Sequence, residues 1–206
     1  MMGPLVRTLT AALILSGAQA FQSDAWVRAD AETVRLAPDR FTELPTGVRA
    51  ELKRRGCLIP QPYTAKPDRP ENATRGHFSD AKELDWAVLC SRERRSSILV
   101  FRGGGLAKVD ELAPESDRSK LQGIGSNQIG YSRAIAITTP DAIRRHNQRT
   151  NPPLPLLDHD GIDDAFLGKA SVVWYWSGIR WLQLAGSDAP TAGPEARLRM
   201  LPGRLR

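Results

Sequence analysis

The chain has 206 residues, of which 41% are hydrophobic, 25% charged and 6% aromatic, the composition of one globular domain of mixed structure. Its 17 Gly and 15 Pro stay below the level of a low-complexity chain, and collagen, a coiled coil and a polytopic membrane protein are excluded. The formal net charge of +6 permits attraction to polyanions only through a clustered patch, and four of the positive charges fall at the C-terminal end, so nucleic acid is not expected as a partner.

Residues 1–20 read as an export signal. Arg7 is the only charge, Leu9 to Leu15 is apolar, and Ala18-Gln19-Ala20 supplies a small-x-small cleavage site. The apolar part is far shorter than the roughly 20 residues that cross a bilayer. A mature periplasmic or secreted chain with no transmembrane segment is therefore expected to begin near Phe21, with an uncleaved N-terminal anchor as the alternative. In that compartment Cys57 and Cys90 are expected to form a disulfide, the alternative being two buried thiols.

After an N-terminal segment at 21–39, a single domain is expected over 40–186. The first element is a short amphipathic helix over Thr46–Arg55. Val48 and Leu52 share a face, Thr46 is placed to cap, and Gly56 marks the end. Pro60, Pro62, Pro67 and Pro70 make the next stretch an extended loop. Asp85–Cys90 and Ser97–Phe101 are apolar runs around a polar linker, which predicts a hairpin of two buried strands. Gly103, Gly104 and Gly105 then break the chain. They lack the flanking pattern of a phosphate loop.

Residues 106–128 are polar and expected to be irregular with one helical turn. Ile129–Ile137 alternates as one strand, with Arg133 on the face of the large residues. Thr139-Pro140-Asp141 starts a helix running to about Arg149. Ser171–Trp176 and Ile179–Leu184 flank Ser177-Gly178 as a second, tight hairpin. Residues 187–206, rich in Pro, Gly and Arg, read as a disordered basic tail. The fold class is α+β, a mainly antiparallel sheet built of two loop–hairpin units with two short helices packed on it.

Two segments, Gly76 to Asp85 and Leu156 to Asp164, share a grammar and each leads toward a hairpin. Their spacing resembles the calcium loop of FG-GAP or VCBS-type propeller blades, D-x-[ND]-x-D-G-x-x-D before an apolar strand. In the first copy His77, Ser79 and Ala81 stand at aspartate positions, Lys82 replaces the glycine, and only Asp85 remains. In the second, Asp158, Asp160, Gly161 and Asp164 match and Leu156 replaces the first carboxylate. The resemblance implies weak Ca²⁺ binding by Asp158, Asp160 and Asp164, in the range of roughly 10⁻⁴–10⁻³ M used by extracellular modules. The alternative is an Asp-rich turn whose side chains cap backbone N–H groups. The chain is too short for a propeller. Its Arg-Gly-Cys, Asp-Trp-Ala-Val-Leu-Cys and Gly-Ile-Asp-Asp-Ala-Phe strings also look like those of small exported bacterial proteins of unknown role.

No Gly-x-Ser-x-Gly, His-Glu-x-x-His or similar catalytic string is present. His159, flanked by Asp158 and Asp160, is the one candidate acid/base group. Trp174 and Trp176 share a strand face and offer a ligand platform beside it, or else pack with Trp181 in the core. The expected function is an exported binding or scaffolding module without catalytic chemistry, its partner an envelope glycan or protein. The alternative is a small envelope-associated hydrolase built on the Asp158–Asp164 loop and His159.

Overall fold

A computed structural model describes residues 24–148 and 153–187; the expected leader at 1–20 and all of the expected tail but Ser187 lie outside the described residues. Within them the fold is α+β, as the sequence predicts. The main body holds two four-stranded antiparallel sheets rather than one, with two two-stranded ribbons beside them.

The chain opens with helix α1 over 24–32. Strand β1 (Arg35–Leu36) pairs with β2 (Ile59–Pro60). Between them lies α2 (Thr46–Arg54), whose Val48 and Leu52 are buried as the period predicts. Thr46 does not cap it. Pro45 holds the cap position with no side-chain bond, and Thr46 is the first helical residue. Cys57 and Cys90 are bridged, closing a loop of 33 sequence steps with Cα atoms 5.0 Å apart.

The first large sheet is β3 (Ala73–Gly76), β4 (Asp85–Arg92), β5 (Arg95–Phe101) and β6 (Val109–Ser116), in that spatial order. Every residue of β4 except Arg92 is buried, because α2 covers one face of the sheet and the second sheet covers the other. The β4–β5 linker shrinks to Glu93 and Arg94, both at positive φ, the turn that matches strand twist. The 106–128 region is not irregular. It carries β6, the expected helical turn at Asp117–Lys120, and β7 (Leu121–Gly125). β6 escapes detection because it is an edge strand, with Leu112 its only buried residue and Pro114 and three acids along it.

The predicted strand over 129–137 is two. β8 (Gln128–Tyr131) pairs with β7, and β9 (Arg133–Thr138) starts the second large sheet after Ser132, whose N–H donates to the Lys120 carbonyl. α3 (Pro140–His146) is capped by the Thr139 hydroxyl, as expected, and stops at His146 rather than near Arg149. β10 (Gly161–Phe166), β11 (Ala170–Trp176) and β12 (Trp181–Ala185) complete the sheet in the order β12-β11-β10-β9. Asp163 and Asp164 thus lie within a strand rather than a loop.

The inner faces of the two sheets share one core containing Phe78, Leu89, Ile98, Val100, Ile135 and Ile162. Asn72, at φ 71°, clasps the sheets together. Its side-chain N–H groups donate to the carbonyls of Pro60 and Arg133, and its Oδ1 accepts from Ile135 N–H. α3 packs on the outer face of the second sheet through Ile143, Val173 and Tyr175.

Candidate functional site

The two loops singled out by the sequence meet at one end of the sheets. Asp160 N–H donates to the His77 carbonyl (2.8 Å), and His77 N–H donates to Asp160 Oδ2 (3.1 Å). Around this contact three connections, β3–β4, α3–β10 and β11–β12, enclose a cavity of about 390 Å³. Asp80, Lys82, Leu156, Asp158, His159 and Trp176 lie on its walls.

Asp85 shapes the first loop. It is fully buried, and its Oδ2 accepts from Phe78 N–H, Ser79 N–H and the Ser79 hydroxyl, while Oδ1 accepts from Gly103 N–H. One carboxylate therefore folds the loop and joins it to the glycine triplet, whose Gly103 and Gly104 sit at positive φ. The sequence pointed to Asp85 as a leftover ligand position; four donors within 3 Å show a carboxylate used as a structural hub.

His159 is buried on the second loop, its ring stacked on Tyr175 at 4.3 Å and 5°. Nδ1 lies 2.9 Å from the Asp160 carbonyl and Nε2 2.9 Å from the Trp176 carbonyl. Both nitrogens thus face backbone acceptors. The Tyr175 hydroxyl accepts from Asp158 N–H and faces the Leu156 carbonyl and Asp158 Oδ1, at 3.0 and 3.1 Å. Burial raises its pKa above the ordinary phenol value. Asp158 itself is largely exposed at the mouth.

The three expected metal ligands are used separately. Asp158 meets Tyr175, Asp160 meets His77, and both oxygens of Asp164 are bound by Arg133. Among the described residues no three of His, Cys, Asp and Glu gather as a metal-holding group. Trp174 and Trp176 do share a face, but it is the inner one. Trp174 packs against the core, with its indole N–H buried and unpartnered among the described residues. Trp176 has the Arg102 guanidinium 4.4 Å over its ring and Trp181 tilted against it at 5.5 Å. Trp181 in turn donates to Asp110. The pair works as a joint between the two sheets, and the free aromatic face expected of a platform is taken up.

A larger cavity of about 720 Å³, with no signal in the sequence, opens between α1, the Pro62–Pro67 loop and the β7–β8 hairpin, where Tyr63, Ile124 and Ile129 line it. Its lining is mostly loop and hairpin tip, without periodicity to announce it.

Comparison with known proteins adds no assignment: no protein-family model, no curated protein and no solved structure matches this chain significantly.

Proposed function

We propose that this chain is an exported binding or scaffolding module whose loop-end cavity receives an apolar side chain of a protein partner. The observation that carries the reading is Leu156. It is 81% exposed at the rim of the cavity, where burying such a side chain would yield about 1.5–3 kcal/mol. The exposed aliphatic rim favours a protein over a glycan, since sugar platforms need open aromatic faces and those of Trp174 and Trp176 are packed.

Binding is also favoured over hydrolysis by how the polar groups are spent. The His159 nitrogens face carbonyls, the Ser79 hydroxyl donates to Asp85, and the Ser177 hydroxyl donates to the Arg180 carbonyl. A nucleophile and a base within reach of each other are what acyl transfer requires. The Cys57–Cys90 bridge supports an oxidising compartment, and with it the export reading of residues 1–20.

A photo-crosslinking residue placed at Leu156 in cells tests both halves. Discrete protein adducts at 156, but not at exposed Val27 on α1, are expected, on a chain whose mass shows loss of the leader. Equal adducts at both positions would sink the binding site, and a full-length cytoplasmic chain would sink export.

A further inference from the structure

We propose that the free edge of β12 pairs antiparallel with the same edge of a second copy, making one continuous eight-stranded sheet across a two-fold axis. The ladder phase fixes which groups are free. Gly186 N–H donates inward to the Ser171 carbonyl, so alternation turns Leu184 and Leu182 toward β11 and turns Ala185, Gln183 and Trp181 outward. The structure confirms this at one position. Asn147 Nδ2 donates to the Ala185 carbonyl and Ala185 N–H donates to Asn147 Oδ1, so a side-chain amide stands where a neighbouring strand would be. At Gln183 and Trp181 the outward backbone groups meet no partner among the described residues.

This edge differs from the others. β6, the outer edge of the first sheet, is blunted by Pro114, Asp110, Glu111 and Glu115, and β9 faces the Asn72 clasp. β12 reads Trp-Leu-Gln-Leu-Ala, without charge, proline or bulge. Natural edge strands left so bare are templates for pairing.

A second copy is the occupant because the edge is self-complementary. Centring the axis on Leu182 places Gln183 opposite Trp181 of the second copy and the reverse, so that two outward pairs exchange four hydrogen bonds. The same register brings the bend that precedes β12 in one copy toward the Ala185 and Asn147 end of the other. That bend carries Ile179, at 87% the most exposed large apolar side chain among the described residues, so the pairing places it beside the second copy rather than in open solvent.

Sedimentation of the full chain across micromolar concentrations tests the pairing. A dimer is expected. Gln183→Pro removes an N–H that the monomer does not use, and it should weaken the dimer at least about tenfold while leaving the circular dichroism unchanged. Leu182→Cys, facing its counterpart across the axis, should form a disulfide-linked dimer in air, since the native protein has no free thiol. A wild-type chain that stays monomeric, a dimer indifferent to Gln183→Pro with no Leu182→Cys crosslink, or open-ended assembly would each overturn the proposal.

Discussion

Arg133 and Asp164 meet diagonally across neighbouring strands between the two sheets, joined fork to fork, with Nε and Nη2 each 2.8 Å from a carboxylate oxygen. The arginine is wholly buried, and its remaining N–H groups donate to the Ser96 and Ala113 carbonyls of the first sheet. One cation thus pairs within its own sheet and also fastens the other. Removing one partner strands a buried charge. Arg133→Met alone is expected to cost about 3–5 kcal/mol in urea unfolding, while Arg133→Met with Asp164→Leu should recover most of that loss.

Reduction should act at a distance from this pair. The Cys57–Cys90 bridge closes 33 sequence steps, which corresponds to about 3–4 kcal/mol in the chain-entropy account. Denaturation with and without reductant should differ by that amount. Thiol titration of the unreduced, unfolded chain should find none free.

Gly161 is held to glycine by β11 and by α3 above it. A Cβ there would lie 2.6 Å from Val173 Cγ1 and 3.0 Å from Ile143 Cδ1, both in the core under the helix. Gly161→Ala is expected to lower stability by about 1–3 kcal/mol through overpacking, measured by thermal unfolding. Truncating Ile143 in the same chain should relieve part of the cost.

Asp163, on the helix-facing side of β10, has its pKa raised. Burial is the main cause and neighbouring Asp164 adds to it, while the Ser171 hydroxyl and His146 oppose it. A carboxyl raised in the folded state binds its proton more tightly there than in the unfolded chain. Its contribution to stability is therefore full below about pH 4 and is lost as pH rises through the elevated folded value. Asp163→Asn should match the wild type in acid and melt about 1–3 °C higher at neutral pH.

What the sequence made legible was local. The α2 period, the Thr139 cap and both hairpins follow from residues within a turn or two of each other, and all are present, although the second hairpin turns through the four residues Ser177–Arg180 rather than the tight Ser177-Gly178 turn expected. β6 was hidden because an edge strand needs only Leu112 buried, and the break at Ser132 because the alternation of Ile129, Tyr131, Arg133 and Ile135 runs straight across it. The site was half legible. Both of its loops stood out by composition, and they do meet. The bond that joins them, from His77 to Asp160, and the one that ties the first loop to the glycine triplet, from Gly103 to Asp85, link residues 83 and 18 positions apart and leave no trace in either stretch alone.

Each large sheet is a meander of strands consecutive in the chain, β3 to β6 and then β9 to β12, so every strand pairs first with its neighbour in time as well as in space. A chain emerging amino end first can complete the first sheet, together with its covalent bridge, before any residue of the second is present. The latecomer half has no such bond. In the folded protein its backbone is tied to the first through the Asn72 amide and the Arg133 donors, so the hold of the unbridged half on the bridged one rests on two side chains and the shared core.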